Sequence, residues 1–408
     1  MAQSQLDAFR LAVSQLDSSS PRHVTELVDL ILASAREARA SDVHVQPTAG
    51  GLEVRWRLDG VLQPLATLPA ALAPNIVARL KVMADLLTYH TDTPQEGRIR
   101  GLPGEIEMRV SSFPTLYGEK VVVRLFAGSS RYQRLADLGL PHEIEQTLSR
   151  LLDETSGAIL LAGPAGSGKT TTIYACLREL VDRSAGRRSL VSLEDPIEVA
   201  VPGVAQSQVN AAAGFDLATG LLSLLRQDPE VIAVGEIRDS STAEVLFQAS
   251  LTGHLALTTF HAGSAAGVIG RLSDMGIEPY LLRSGILAIV CQRLVRMLCP
   301  CAREAADPDS HLGLDVSRAR VPNGCEECGQ TGYQGRMVLA EILVPDRGEL
   351  GRAILSRTDV NRLEALAVQN GMRTRWQRAC EAVEAGITSP AEVRRVLGFL
   401  DPVRPADA

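Results

Sequence analysis

The stretch Gly163-Pro-Ala-Gly-Ser-Gly-Lys169-Thr170 decides the fold of this chain, because it matches the phosphate-binding pattern G-x-x-x-x-G-K-[ST]. The apolar run before it, residues 158–162, predicts a buried strand, and residues 170–180 predict a helix. Backbone N–H groups in such a turn and at the start of the following helix attract phosphate. The motif therefore predicts a triphosphate site in which Lys169 lies by the β- and γ-phosphates and the Thr170 hydroxyl binds Mg²⁺.

The composition is that of a soluble globular protein rather than a membrane-spanning or nucleic-acid-coating one. The 408 residues are 45% hydrophobic and 22% charged, with a net charge of -7 that argues against a surface dominated by nucleic-acid contacts. No apolar run approaches the length of about 18 residues that a transmembrane helix needs, and the N-terminus lacks the features of a secretory signal. We expect a cytoplasmic protein without direct nucleic-acid binding that contacts the membrane only through partners.

The order of predicted elements divides the chain into domains. Helix-spaced and alternating apolar residues predict an N-terminal α+β domain, and a later repeated alternation of strand and helix predicts a parallel sheet with helices on both faces. The predicted segments are a disordered tail over 1–20, the α+β domain over 21–127, a linker over 128–135, and a nucleotide-binding domain over 136–400 that includes a cysteine-rich insert over 299–335 and a helical part over 346–400.

Two further apolar strands end in acidic residues. Residues 190–195 end in Glu194 and Asp195, and residues 231–236 end in Glu236. Because ligands of open parallel sheets lie beyond the carboxyl ends of the strands, these acids are expected near the phosphate loop. Hydrolysis needs a carboxylate that activates water or holds the metal, although either acid group taken alone could be a solvated strand end.

Histidine flanks the next predicted strand at both ends, as His254 and His261. A histidine at the carboxyl end could sense the γ-phosphate. A single histidine is nevertheless more often structural, so the residues alone leave both interpretations open.

Four of the seven cysteines cluster as Cys299-Pro-Cys301 and Cys325-Glu-Glu-Cys328. In a reducing compartment, paired cysteines indicate a metal site more than disulfide bonds. The other three are scattered and are expected to be small buried residues.

The chain resembles the type II secretion and type IV pilus assembly ATPases, which are hexameric motors of the RecA-like class. The resemblance covers about 21–400, and its most specific stretch is Leu225-Arg-Gln-Asp-Pro-Glu-Val-Ile-Ala-Val-Gly-Glu-Ile-Arg-Asp239. The other matching stretches are Ala40-Ser-Asp-Val-His44, Arg57-Leu-Asp-Gly-Val61, Gln95-Glu-Gly-Arg98, Met108-Arg-Val-Ser111, Gly118-Glu-Lys-Val-Val-Val-Arg124 and Leu193-Glu-Asp-Pro-Ile-Glu198.

The resemblance implies a RecA-like P-loop ATPase domain, a smaller N-terminal α+β domain of PAS-like type, and a tetracysteine zinc insert. It implies a homo-hexamer that hydrolyses ATP with Mg²⁺ and drives pseudopilin or pilin fibre assembly. The partner would be an inner-membrane platform protein, which would place the motor at the periphery of the inner membrane. Family members usually carry a further N-terminal docking domain, and only about 20 residues precede the first predicted helix here, so we expect docking to be different or weaker.

The resemblance also assigns roles to individual residues. Glu194 and Asp195 match the aspartate box, with Glu194 as the water activator, and Glu236 ends the Walker B strand, where it would act on the water bound to Mg²⁺ and on the γ-phosphate. His261 matches the histidine-box residue that approaches the γ-phosphate. The residues that match the nucleotide-binding loop are Gly163, Pro164, Ala165, Gly166, Ser167, Gly168, Lys169, Thr170 and Thr171.

Two arginines of the N-terminal domain, Arg109 and Arg124, match arginines that the family offers to a nucleotide site. A guanidinium stabilises the charge that spreads over a transferring phosphoryl group. Without the resemblance, both would be read as partners in salt bridges on the face of a sheet.

The cysteine-rich insert matches as well, and the family's two C-x-x-C pairs bind one structural Zn²⁺. The first pair here, Cys299-Pro-Cys301, is one residue shorter, although Cys299, Cys301, Cys325 and Cys328 can still supply four thiolates. Pilus retraction ATPases lack this insert, so its presence favours extension or secretion over retraction. Besides retraction, the residues leave open a DNA-handling RecA-like motor and a non-enzymatic nucleotide-dependent scaffold.

Overall fold

The computed structural model describes residues 2–99, 108–125, 132–346 and 348–399, without the side chains of residues 2–7 and 211. Contacts assign the described residues to two compact units. The N-terminal unit takes those of 1–128, 298–303 and 322–335, and the second unit takes those of 129–297, 304–321 and 336–408.

The N-terminal unit is built on a six-stranded antiparallel sheet with the strand order β3-β2-β1-β6-β5-β4. Alternate residues of its strands join the helices in one apolar core, and the residues between them lie on a half-exposed face. Its elements are α1 (Ala2–Gln15), α2 (His23–Glu37), β1 (Asp42–Thr48), β2 (Gly51–Leu58), β3 (Val61–Leu68), a 3₁₀ helix (Ala70–Leu72), α3 (Ala73–Met83), β4 (Gln95–Ile99), β5 (Met108–Thr115) and β6 (Gly118–Leu125).

The first helix differs from the predicted disordered tail over 1–20. In α1, Phe9 is 2% exposed, and its ring meets the edge of the Trp56 ring at a centroid distance of 5.9 Å. Burial of an aromatic ring against the sheet offsets the entropy lost when a polar segment becomes ordered. The helix therefore depends on a contact across some 50 positions, which local composition does not reveal.

The second unit is built on a seven-stranded sheet with the strand order β15-β12-β7-β11-β10-β8-β9, as expected for an α/β domain. The five pairs from β12 to β9 are parallel. Its elements are a 3₁₀ helix (Leu135–Leu138), α4 (His142–Leu151), β7 (Gly157–Ala162), α5 (Lys169–Ser184), β8 (Leu190–Glu194), β9 (Ala205–Gln208), a 3₁₀ helix (Ala211–Ala213), α6 (Leu217–Leu224), β10 (Val231–Val234), α7 (Ser240–Leu251), β11 (Leu255–Phe260), α8 (Ala265–Asp274), α9 (Pro279–Gly285), β12 (Ile286–Leu298), β13 (Arg303–Glu304), a 3₁₀ helix (Pro308–His311), β14 (Arg320–Val321), β15 (Tyr333–Leu343), α10 (Glu349–Leu355), α11 (Val360–Gln369), α12 (Arg375–Glu384) and α13 (Pro390–Leu397).

Both faces of this sheet are buried at its centre. In β7, Leu160 belongs to one apolar core, and Ile159 and Leu161 belong to another, each core being completed by helices. All six residues of β7 are buried, which explains why the strand is continuously apolar instead of alternating. The carboxyl ends of the parallel strands consequently carry the polar groups, at the edge where α5 begins.

The predicted linker lies partly outside the described residues. Residues 128–131 belong to a segment, 126–131, that the structure does not describe, and Leu135 begins a short 3₁₀ helix. Residues 100–107 are also outside the described residues.

The cysteine-rich segments differ from the predicted domain division, which placed 299–335 wholly in the nucleotide-binding domain. Residues 298–303 and 322–335 belong to the N-terminal unit, whereas residues 304–321 belong to the second unit. One contact behind this assignment is the Gly335 amide, which donates to the Asp59 carboxylate over 3.2 Å. The turn between β2 and β3 thus holds a segment that follows it by more than 250 positions.

Capping side chains set the ends of several helices in the second unit. Asp239 accepts a hydrogen bond of 2.7 Å from the Thr242 amide at the start of α7, and Ser264 accepts one of 3.0 Å from the Gly267 amide at the start of α8. Each helix among the described residues is too short or too polar to cross a bilayer.

Candidate functional site

The loop between β7 and α5 has the backbone that a phosphate cradle requires. Gly163 and Gly168 have φ values of +145° and +94°, in the region that favours glycine. A Cβ atom on Gly163 would lie 2.6 Å from the Gln292 carbonyl, whereas one on Gly168 would meet nothing within 4 Å. The loop therefore packs tightly against β12 on one side and leaves its backbone open at the start of α5.

Lys169 lies folded against this loop. Its side chain is 8% exposed, and Nζ donates to the carbonyls of Gly163 over 2.9 Å and Pro164 over 3.0 Å. Burial lowers the pKa of Lys169, and the charge of the Glu236 carboxylate opposes that decrease. The Ser167 hydroxyl, also buried here, has no hydrogen-bond partner among the described residues.

Strand β12 packs against the phosphate loop and the start of α5, a contact that the sequence alone did not predict. The Gln292 amide group donates to the Thr172 hydroxyl over 3.0 Å, and that hydroxyl lies 3.1 Å from the Gly168 carbonyl. The next residue, Arg293, donates to the Gly263 carbonyl over 3.1 Å. Only the strand order reveals these contacts, because β12 lies beside β7 in space and some 120 positions away in the chain.

Arg238 links the acids at the ends of β8 and β10, and His261 lies beside one of them. His261 Nε2 lies 3.1 Å from Glu236 Oε1, and Arg238 Nε lies 3.2 Å from Glu236 Oε2. Arg238 also reaches Asp195, with 3.5 Å between Nη1 and Oδ2. Arg238 was missed as a site residue, although it belongs to the most specific matching stretch.

The two histidines around β11 differ in their surroundings. Burial lowers the pKa of His261, and the nearby Lys169 charge lowers it further, which favours the neutral ring near pH 7. His254 lies at the amino end of the strand, where a ring nitrogen is 3.0 Å from the Ala249 carbonyl. That contact gives His254 a structural role at the amino end of the strand.

Glu194 is held in a buried hydrogen-bond network. It is 5% exposed and accepts hydrogen bonds from Tyr174 over 2.5 Å, Ser192 over 2.6 Å and Gln206 over 3.0 Å. Asp195, the next residue, is about half exposed. The paired acids thus have different environments, one fixed and one open to solvent.

Arg109 and Arg124 belong to a charged row across the sheet of the N-terminal unit. The strand register places Arg109 directly opposite Arg124, and Arg124 opposite Asp42. Arg124 Nε lies 3.1 Å from Asp42 Oδ1, and Arg109 pairs with Glu96. The same register extends the row at both ends to residues of the quoted matching stretches, Arg57 and Arg98.

The four clustered cysteines are close enough to share one ion. Their sulfur atoms lie within 4.8 Å of one another, with Cys299 to Cys325 at 3.8 Å and Cys301 to Cys328 at 4.0 Å. A tetrahedral site with Zn–S bonds of about 2.3 Å needs sulfur separations of about 3.8 Å. Burial acts to raise the pKa of Cys328, but amide donors, chiefly Cys325 and Gly332, outweigh it and lower the pKa to about 7. The donor set therefore fits zinc despite the shortened first pair.

A glycine-rich loop at a helix N-terminus, a buried lysine and acids from adjacent parallel strands define a RecA-like P-loop nucleotide hydrolase. A family model described as type II/IV secretion system protein matches residues 17–395. The chain belongs to that family, and it is an ATP-hydrolysing secretion ATPase.

Relatives and solved structures agree with this assignment. The chain is 40% identical to the type II secretion system protein E of Klebsiella pneumoniae, over 96% of this chain and 80% of that protein. It is 36% identical to the type IV pilus assembly ATPase PilB of Thermus thermophilus, over 93% of this chain and 43% of that protein. The fold is similar to that of the Legionella pneumophila ATPase DotB, with a TM-score of 0.67 and 22% identity over 93% of this chain and 97% of that chain.

Proposed function

We propose that this chain is the motor of a type II secretion or type IV pilus-type machine and couples ATP hydrolysis to pseudopilin or pilin fibre assembly. It acts as a homo-hexamer on an inner-membrane platform protein, at the cytoplasmic side of that membrane. The observation that carries the proposal is the cluster of Lys169, Glu236, His261 and Asp195 beside the phosphate loop. Family membership supplies the kind of machine.

The phosphate loop binds the triphosphate of ATP. The backbone N–H groups of residues 163–168 and the start of α5 receive the phosphate oxygens, with Thr171 in the first turn. The Lys169 ammonium exchanges its contacts with the loop carbonyls for the β- and γ-phosphates, and the Thr170 hydroxyl and Asp195 would hold Mg²⁺. When bound, Mg²⁺ neutralises charge on the β- and γ-phosphates.

Hydrolysis uses the two buried or half-buried carboxylates. Glu194 orients the attacking water and accepts its proton. Glu236 acts on the water near the γ-phosphate. His261 remains neutral and senses the presence of the γ-phosphate through its contact with Glu236. Loss of the γ-phosphate changes that contact, which couples the chemical step to the loop that follows β11.

The motor interpretation is tested by what stimulates ATP turnover. We expect the purified chain to release phosphate from ATP and the cytoplasmic domain of its platform partner to increase the rate. Double-stranded DNA is expected to have no effect, in line with the net charge of -7. A large stimulation by DNA together with none by the platform protein would instead identify a DNA-handling motor.

The arginine row of the N-terminal unit supplies cations to a bound triphosphate of the ring. Arg109 and Arg124 lie side by side on the half-exposed face of the sheet. A delocalised guanidinium binds phosphate oxygens in a bidentate manner and stays charged at any physiological pH. Asp42 and Glu96 orient the two side chains.

We expect Arg109→Ala or Arg124→Ala to reduce ATP turnover by on the order of 10²-fold, as removal of one transition-state donor does. ATP binding, measured by titration with a fluorescent analogue, should stay nearly unchanged. Arg79→Ala is the matched control, because Arg79 lies in the same unit on α3 and faces Asp29 at 4.0 Å, away from the arginine row. Normal ATP turnover in both variants would show that the two arginines only form salt bridges on the sheet.

The cysteine cluster binds one structural Zn²⁺ through Cys299, Cys301, Cys325 and Cys328. Four thiolates fill a tetrahedral site and leave no position for a substrate, so the ion stabilises the fold without taking part in hydrolysis.

Cys325→Ser, or treatment with a strong chelator, is expected to destabilise this segment by more than about 4 kcal/mol, since structural metal sites contribute folding energy. The measurements are zinc content by elemental analysis and melting temperature by calorimetry. Cys380→Ser is the control, because Cys380 lies outside the cluster. Wild-type protein without metal and with an unchanged melting temperature after chelation would exclude zinc.

A further inference from the structure

The Glu194 carboxylate accepts three hydrogen bonds, which leave one position open. Oε1 accepts from the Ser192 hydroxyl and the Gln206 amide group, and Oε2 accepts from the Tyr174 hydroxyl. An ionised carboxylate offers about four lone-pair positions. Among the described residues, the one position without a partner is therefore on Oε2, the oxygen that Tyr174 contacts.

Tyr174 links three parts of the site through one atom. It lies on α5, five residues after Lys169, and its hydroxyl donates to Glu194 over 2.5 Å. The same oxygen accepts hydrogen bonds from the backbone amides of Glu198 over 3.0 Å and Val199 over 3.4 Å. The phosphate-loop helix, the end of β8 and the segment after it are thus connected at the tyrosine oxygen.

The hydroxyl is a permanent donor. Tyr174 is 4% exposed, and burial followed by the neighbouring Glu194 charge strongly raises its pKa. It therefore keeps its proton throughout the physiological range, and the hydrogen bond to Glu194 persists while the carboxylate is ionised.

A small cavity lies between this network and the phosphate loop. Its volume is about 20 Å³, and its lining includes Thr170, Tyr174, Glu194, Gly235 and Thr259. The rest of the lining is apolar and comprises Ile173, Leu177, Ala233 and Val234. One water occupies about 10–15 Å³, so the cavity has room for a single water beside Tyr174 and Glu194.

We propose that Tyr174 is a positioning residue of ATP hydrolysis, which holds Glu194 so that the remaining lone pair of Oε2 serves the attacking water. This inference rests on the proposed function and adds a residue that fixes the water-activating group. It also links the phosphate-loop helix to that group, because displacement of α5 displaces the tyrosine oxygen. A purely structural tyrosine would contribute to stability without affecting the chemical step.

The test is Tyr174→Phe in the full chain, which keeps the ring and removes only the hydroxyl. We expect kcat to fall roughly 10- to 100-fold through misplacement of the reacting group, with the KM for ATP unchanged. Tyr280→Phe is the control, since Tyr280 is 56% exposed on α9 and should behave as wild type.

A double-mutant cycle separates positioning from stability. In a Glu194→Gln background, the Tyr174 change should add nothing to the loss of kcat, because both act through the same carboxylate. If Tyr174→Phe does not fold, Ser192→Ala removes another donor to Glu194 and should likewise lower kcat with the KM for ATP unchanged.

Three results overturn the inference: a wild-type kcat in Tyr174→Phe, an additive loss in the cycle, or a wild-type kcat in Ser192→Ala. Each of these presupposes that the wild-type chain hydrolyses ATP. Absence of phosphate release by the wild type would overturn the proposed function instead.

Discussion

Lys169→Ala is expected to reduce ATP turnover by on the order of 10³-fold or more, because it removes the cation nearest the β- and γ-phosphates. Nζ lies within 3.0 Å of two loop carbonyls, so its charge is at the loop that binds the triphosphate, and it exchanges these contacts for the phosphates when ATP binds. Phosphate release and titration with a fluorescent ATP analogue measure turnover and binding separately.

A control for this change lies just beyond the same helix. Arg187 follows the other end of α5 and is exposed, so Arg187→Ala removes one positive charge without touching the phosphate loop. It should keep wild-type turnover. Full activity in Lys169→Ala, with the melting temperature of the wild type, would contradict the assignment of the loop.

Glu236→Gln is expected to lower turnover by roughly 10²- to 10⁴-fold, the range typical for loss of a proton-transferring or charge-ordering side chain. The amide has the shape of the carboxylate, so its oxygen can still accept from His261, and ATP binding should be retained. The negative charge that faces Lys169, Arg238 and the phosphate site is lost. Steady-state and single-turnover phosphate release measure the effect on the chemical step.

Glu230→Gln is the matched control for this strand. Glu230 precedes β10 at its amino end, where it is half exposed and 3.5 Å from Arg188. Glu230→Gln should leave ATP hydrolysis at the wild-type rate. That result would show that loss of a carboxylate matters at the carboxyl end of the strand and not at its amino end. Equal turnover of wild type and Glu236→Gln would be the behaviour of a nucleotide-dependent scaffold instead of a motor.

The parallel sheet and the phosphate site could be predicted because their determinants are local. A buried strand, a glycine-rich turn and a helix follow one another within about 25 residues, so residues 158–180 contain the whole unit. The acids at 194, 195 and 236 were also predictable, because every parallel strand of such a sheet ends at the same edge. At that edge Glu236 contacts His261, and Arg238 joins Glu236 to Asp195.

Contacts between distant segments were not predictable in the same way. Arg238 bridges Glu236 and Asp195 only because β10 pairs with β8, and Tyr174 reaches Glu194 only because α5 packs across the sheet. An arginine in a signature and a tyrosine in an amphipathic helix have many ordinary explanations. Their partners had to be known before either could be assigned to the site.

The amino-acid sequence by itself determined the nucleotide-binding unit, the acids at the strand ends and the presence of four clustered cysteines, because each depends on residue types at short spacing. The tertiary structure alone decided that the N-terminal segment is a helix, that the cysteines belong with the N-terminal unit, and that Glu194 is held by Tyr174. These features depend on packing and hydrogen bonds between residues far apart in the chain, and short-range periodicity contains no information about such pairs.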